Sequence, residues 1–195
     1  MSIEPAKGIA GLKGALRYVR AYRDQIFVIK LGGEVLHQAE ALAGVAAQVS
    51  LLSSLGVRLV IVHGGGPQAS ALSRRLGSEP KIIAGRRVTD DIALEAVVMS
   101  VAGQLNVAVL SALRAHHVRA VGLSGVDAEL VSAHKRPPVQ VVDDHGHEQL
   151  VDFGHVGDVE RVDPRVLETL LQAGYIPVVS CLAGDEHGSV FNVNA

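Results

Sequence analysis

An α/β fold built on a mainly parallel central sheet is what this sequence predicts, and three observations carry that expectation. Two short runs, Ile26-Phe27-Val28-Ile29 and Leu59-Val60-Ile61-Val62, are continuously apolar and rich in β-branched residues, the pattern of strands buried on both faces of a parallel sheet. Each run leads into a glycine-rich turn, Lys30-Leu31-Gly32-Gly33 in the first case and His63-Gly64-Gly65-Gly66 in the second. Both turns therefore fall at the carboxyl ends of strands, where open α/β sheets bind their ligands. A helical segment over residues 38–55 joins the two runs, and strand–helix–strand order implies a right-handed parallel crossover.

The other elements follow in chain order. Ile9, Leu12, Leu16, Val19 and Tyr22 recur at helical spacing among Lys13, Arg17, Arg20 and Arg23, which predicts an amphipathic helix forming an extension over residues 1–24, ahead of a domain spanning 25–195. Gln68 to Leu76 reads as a short helix ended by Gly77 and Pro80. Thr89 is placed to N-cap a long helix with Asp90 and Asp91 in its first turn. The body of that helix, Ile92 to Ala115, is apolar almost all round, so it is expected either deep in the core or shared with another subunit. His116-His117 falls where it should end, a place that favours a cation. A strand over Ala120 to Leu123 comes next. Val139 to Val142 and Gln149 to Phe153 flank a polar stretch, Asp143 to Glu148, as the arms of an antiparallel hairpin. Asp163-Pro164 opens a further helix, closed by Gly174 before the strand Ile176 to Ser180.

Composition narrows the function. The 195 residues, 48% hydrophobic and 19% charged, suit one globular domain with a full core. A net charge of −2 and 3% aromatic residues offer neither the basic track nor the stacking surfaces of a nucleic-acid binder. Apolar runs such as Ala96 to Met99 stop short of a membrane span and no signal peptide opens the chain, so a cytoplasmic protein with a small-molecule partner is expected, with no nucleic acid and no membrane. The single cysteine, Cys181, lies in an apolar run and reads as a small buried hydrophobe. His145-Gly146-His147 reads as a polar hairpin tip, since no third metal ligand can be assigned to it.

The chemistry is concentrated at the two turns. Glycine lets the backbone approach an anion closely, and N–H groups at the following helix start point toward it with the helix dipole behind them. Lys30 adds a full positive charge, and two such turns in one domain suggest two anionic groups held close together. Neither turn has the G-x-G-x-x-G or G-x-x-x-x-G-K-[ST] spacing of the common nucleotide-binding motifs. Either turn alone would be satisfied by a purely conformational need for glycine, and Arg87 alone by a surface ion pair.

Taken in order, Ile29-Lys30-Leu31-Gly32-Gly33, Val60 to Pro67, Gly85-Arg86-Arg87-Val88-Thr89-Asp90 and the terminal Asn192-Val193-Asn194-Ala195 resemble the amino acid kinase family, in the branch that acts on N-acetyl-L-glutamate. The resemblance runs from about residue 25 to the last residue. It implies a three-layer αβα sandwich and transfer of the γ-phosphoryl group of MgATP to the side-chain carboxylate of N-acetyl-L-glutamate, in arginine biosynthesis. By the same resemblance Lys30 is the catalytic residue on the transferring phosphoryl oxygens, and Gly32 and Gly33 face the nucleotide phosphates. Gly65 and Gly66 meet the reacting carboxylate, Arg87 clamps the α-carboxylate in a bidentate fork, and Asn192 and Asn194 complete the amino-acid pocket.

The resemblance also implies that this sequence is the acyl-amino-acid lobe, stopping before the nucleotide-binding lobe, and that the chain forms a homo-oligomer, a dimer or a hexamer built through the N-terminal helix. Arg86 departs from the aliphatic residue more usual in the family. A kinase for a related acidic acyl-amino acid, such as an aminoadipate derivative, and a silent amino-acid-binding regulatory lobe, as in N-acetylglutamate synthases, are the alternatives.

Overall fold

The computed structural model describes residues 16–17, 19–142 and 148–195. A parallel four-stranded sheet forms the centre, in the order β1 (Ile26–Leu31), β2 (Arg58–His63), β10 (Ile176–Ser180), β5 (Ala120–Ser124). Alternate side chains of the middle strands feed two different cores, as the two-residue period of a strand requires. Leu59, Ile61, Ile176 and Val178 pack on one side against α2 (Ala39–Ser54), through Leu42, Ala46 and Val49, and against α4 (Asp91–Ala115). Val60 and Val179 point the other way, to Leu130 and to Leu171 of α5 (Arg165–Gln172). The result is the three-layer αβα sandwich.

One expectation about burial needs correction. The first apolar run is not buried on both faces: β1 is the edge of the sheet, paired with β2 alone, and Ile26, Phe27 and Val28 are exposed. A continuous apolar run cannot by itself distinguish an edge strand from a central one.

The long helix α4 also differs in detail. Its N-cap is Asp90, whose Oδ1 accepts from Ala93 N at 2.8 Å, and not Thr89. Thr89 is fully buried because its backbone is pinned on both sides, its N–H donating to Phe153 O and its carbonyl accepting from His155 N. Residues Val98–Leu105 of α4 form π turns. Val97, Val101, Leu105, Val109 and Leu113, every fourth residue, all lie buried toward the sheet. A row with that spacing drifts around a helix of 3.6 residues per turn, and the wider π turns offset the drift. By length and composition α4 could cross a membrane, contrary to the expectation that every apolar run falls short, but here it lies along the sheet with Val98, Met99 and Val107 exposed.

A second sheet, β12 (Val190–Asn192), β11 (Leu182–Gly184), β6 (Val131–Lys135), β9 (Gly157–Val162), packs Ala133, Ala183, Phe191 and Val193 into its own small core. No apolar run or alternation in the sequence predicts these four strands. Two hairpins complete the described fold: β3 (Ile82–Ile83) with β4 (Arg86–Arg87), and β7 (Val139–Val142) with β8 (Glu148–Val151). The tip of the latter, residues 143–147 with the His145-Gly146-His147 reading, lies outside the described residues. So does most of the N-terminal segment, of which residues 16–17 and 19–22 are helical, with Tyr22 packed edge-on against Phe27.

Candidate active site

The two glycine turns meet because β1 and β2 are neighbours in register, with Leu31 opposite His63. Each turn opens a helix, α1 (Gly33–His37) and α3 (Gly66–Arg75). A Cβ on Gly33 would lie 2.9 Å from Pro67 Cδ, and Gln68 Nε2 donates to Gly33 O at 2.8 Å, so the turns are locked against each other. Gly65 is required by close approach and not by strain. Its φ of 170° is extended, but a Cβ there would lie 2.3 Å from Leu105 Cδ1 and 2.8 Å from Val101 Cγ1 of α4. Gly66 has open space where a side chain would stand.

Beneath the second turn, His63 is fully buried. Its Nδ1 donates to Gly64 O at 3.0 Å, which leaves Nε2 to accept from Asn106 Nδ2 at 3.3 Å. Burial pushes the imidazole pKa down, and the neutral ring is the form this pairing needs. Asn106 Nδ2 also reaches Val178 O at 3.0 Å, tying the turn to β10 and α4 at once.

A cleft of about 540 Å³ opens beside the turn and is lined by Gly65, Gly66, Arg87, Asn192 and Asn194, five of the residues singled out from the sequence. Lys30, Gly32 and Gly33 do not line it; they stand at the end of the adjacent strand, joined to it through the Gly33–Pro67 contact. Asn192 is held by its backbone N–H to His155 O at 2.8 Å and by Nδ2 to Thr89 Oγ1 at 3.3 Å. Arg87 is oriented by Nη2, which donates to Gly66 O at 2.8 Å and to Ser70 Oγ, while Nη1 is buried without a partner. Burial, and then the charge of Arg74, lower the guanidinium pKa. The free two-pronged fork expected of Arg87 is therefore not what the cleft presents, since Nη2 is already committed to the protein.

Sequence reasoning missed other wall residues. Arg136 lines the cleft and donates from Nε, at 2.9 Å, and from Nη2 to Asp158 Oδ1. That bond raises the Arg136 pKa and lowers that of Asp158. The basic run His134-Lys135-Arg136 before Pro137-Pro138 was the available signal. Cys181 is buried as expected but also touches the cleft, and burial pushes its thiol up to about 11, which keeps it protonated and unreactive at neutral pH. Among the described residues no cluster of three or more His, Cys, Asp or Glu is placed to hold a metal ion.

The structure is thus an αβα sandwich with two interlocked glycine turns at the ends of adjacent parallel strands, beside a cleft walled by arginine and asparagine. The chain belongs to the amino acid kinase family, whose model matches residues 25–195. It is similar to the acetylglutamate kinase of Myxococcus xanthus (strain DK1622), with 45% identity over 95% of this chain and 61% of the relative. The acetylglutamate kinase of Desulfitobacterium hafniense is 40% identical over 93% of this chain and 60% of its own length. Among solved structures, N-acetylglutamate synthase from Neisseria gonorrhoeae, complexed with coenzyme A and N-acetyl-glutamate, aligns with a TM-score of 0.74 and 28% identity, covering 95% of this chain and 40% of that one. The chain thus spans about three fifths of the length of the curated relatives it matches.

Proposed function

We propose that this chain carries the acyl-amino-acid half of an acetylglutamate kinase, over residues 25–195, with the residues before it forming a helical extension. The reaction is ATP-dependent phosphorylation of the side-chain carboxylate of N-acetyl-L-glutamate, giving N-acetyl-L-glutamyl 5-phosphate for arginine biosynthesis in the cytoplasm. The observation that carries it is the convergence of Gly65, Gly66, Arg87, Asn192 and Asn194 on one cleft beside the glycine turns. An attacking carboxylate is already ionised at neutral pH, so the site needs positioning and charge neutralisation more than a base. In this reading the backbone N–H groups of the second turn hold the reacting carboxylate. Lys30, Gly32 and Gly33 face the phosphates across the Gly33–Pro67 contact, and Mg2+ arrives with the nucleotide.

The open edge at β1, with exposed Ile26, Phe27 and Val28, is where a nucleotide-binding half would extend the sheet. Exposed Val98, Met99 and Val107 on α4 suit a contact between copies in a homodimer. A second reading, an amino-acid-binding lobe without catalysis, is favoured by the likeness to the synthase structure. Lys30 separates the two, because a domain that only senses amino acids has no use for a charge at the phosphoryl position.

The test uses the enzyme that joins this chain to a nucleotide-binding half. There Lys30→Ala lowers kcat by a few orders of magnitude with little change in substrate affinity or melting temperature, since a charge aimed at the transferring group acts in the transition state. Near-parental kcat in that variant would contradict the proposal.

A further inference from the structure

Three arginines, Arg86, Arg87 and Arg136, line the cleft, and the resemblance implies a role for one of them, Arg87. Arg136 stands just past the end of β6. Its backbone N–H donates to Val156 O at 2.8 Å, and Pro137-Pro138 follows with fixed φ, so the residue is anchored on the wall made by the second sheet. Its side chain, 19% exposed, spends Nε and Nη2 on a single oxygen of Asp158, and Nη1 makes no hydrogen bond to any described residue. Arg87 is in a complementary state, with Nη2 committed to Gly66 O and Ser70 Oγ and Nη1 buried and unpartnered.

Neither arginine offers a free pair of Nη groups, whereas a carboxylate has two oxygens, each wanting a donor. Three guanidinium groups and one ionised Asp158 leave two positive charges in excess among these four groups, equal and opposite to the charge of an N-acylated amino diacid. We propose that Arg136, positioned by Asp158, is a second cationic anchor for the ligand's α-carboxylate, taking one oxygen while Arg87 takes the other. It thereby sets a preference for α-carboxylated acyl-amino acids over acyl-amines that lack this group. The assignment rests on the reading of the cleft given under Proposed function.

The experiment is calorimetric titration of the chain with N-acetyl-L-glutamate and with 4-acetamidobutanoate, which is the same molecule without its α-carboxylate. Arg136→Gln weakens N-acetyl-L-glutamate binding about tenfold or more and leaves 4-acetamidobutanoate within about twofold of the parent, the loss expected for a charge-assisted hydrogen bond made to one ligand only. Asp158→Asn, which frees the guanidinium, gives a smaller loss with the same selectivity. Arg136→Lys keeps the charge and carries the same comparison should the glutamine variant melt early. Equal weakening of both ligands, or of neither, overturns the assignment while leaving the kinase reading intact. A parent that binds no N-acetyl-L-glutamate refutes the reading itself, and the assignment with it.

Discussion

Gly65→Ala and Gly66→Ala, neighbouring substitutions of identical chemistry, should have opposite consequences. At Gly65 the new methyl would sit 2.3 Å from Leu105 Cδ1 and 2.8 Å from Val101 Cγ1. Those partners are 6% and 1% exposed on a helix packed to the sheet along its length, so they have little room to give. Overpacking of this kind costs about 1–3 kcal/mol. For a chain of this size that is a fall in Tm of roughly 2–12 °C, taking about 2–4 °C per kcal/mol. At Gly66 nothing lies within 4 Å, and alanine suits the first turn of α3 at least as well, so the melt should be unchanged or slightly higher. Binding reverses the order: the space at Gly66 is the cleft, and a methyl there weakens N-acetyl-L-glutamate by about tenfold, the scale of a few lost contacts and one displaced hydrogen bond. Thermal melts with calorimetry on both variants decide it. A Gly65→Ala protein melting within a degree of the parent would refute the close-approach argument, and a Gly66→Ala protein binding at full strength would remove the second turn from the site.

Three further outcomes follow. Arg87→Lys, which loses the contacts to Gly66 O and Ser70 Oγ as well as the planar group, should weaken N-acetyl-L-glutamate by about 1.5–3 kcal/mol; unchanged affinity in a titration would put Arg87 outside the pocket. Because burial holds the His63 pKa below its unfolded value of 6.5, the unfolded chain takes up a proton first as pH falls, so stability is full above that value and declines below it. Melts from pH 7.5 to 5.5 should show that decline, with a shallower slope in His63→Asn; identical slopes would place the effect elsewhere. Cys181, its thiol pushed up to about 11, should react with iodoacetamide far more slowly than free cysteine at neutral pH, and rapid labelling of the folded chain would contradict its burial.

The parallel core and both turns were legible because each rests on a local signal: a continuous apolar run, then glycine where the backbone must pass close to something. What the sequence could not say is what each glycine passes close to. Gly65 approaches α4, forty residues away along the chain, while Gly66 borders the cleft, and the three consecutive glycines look alike. The edge position of β1 was hidden for the same reason, since strand order is a long-range property. The second sheet is hard to read from the sequence because β11 and β12 are three residues each and alternate little, and β6, to which β11 joins the sheet, lies about fifty residues away, with β9 paired in turn to β6. Thr89 looked like an N-cap and proved to be a buried anchor for Asn192 Nδ2, with the cap moved one residue on to Asp90. For Arg136 the basic run before Pro137-Pro138 is a weak signal, because what places the side chain is a partner, Asp158, more than twenty residues further along the chain.

The central claim, that this cleft is built for an acylated acidic amino acid, is tested most directly by titrating the chain with N-acetyl-L-glutamate in a calorimeter beside a matched titration with MgATP. The account predicts saturable binding of N-acetyl-L-glutamate at millimolar or better affinity, with weak binding of MgATP because Lys30, Gly32 and Gly33 stand outside the cleft. Tight MgATP binding with no detectable N-acetyl-L-glutamate binding would contradict it.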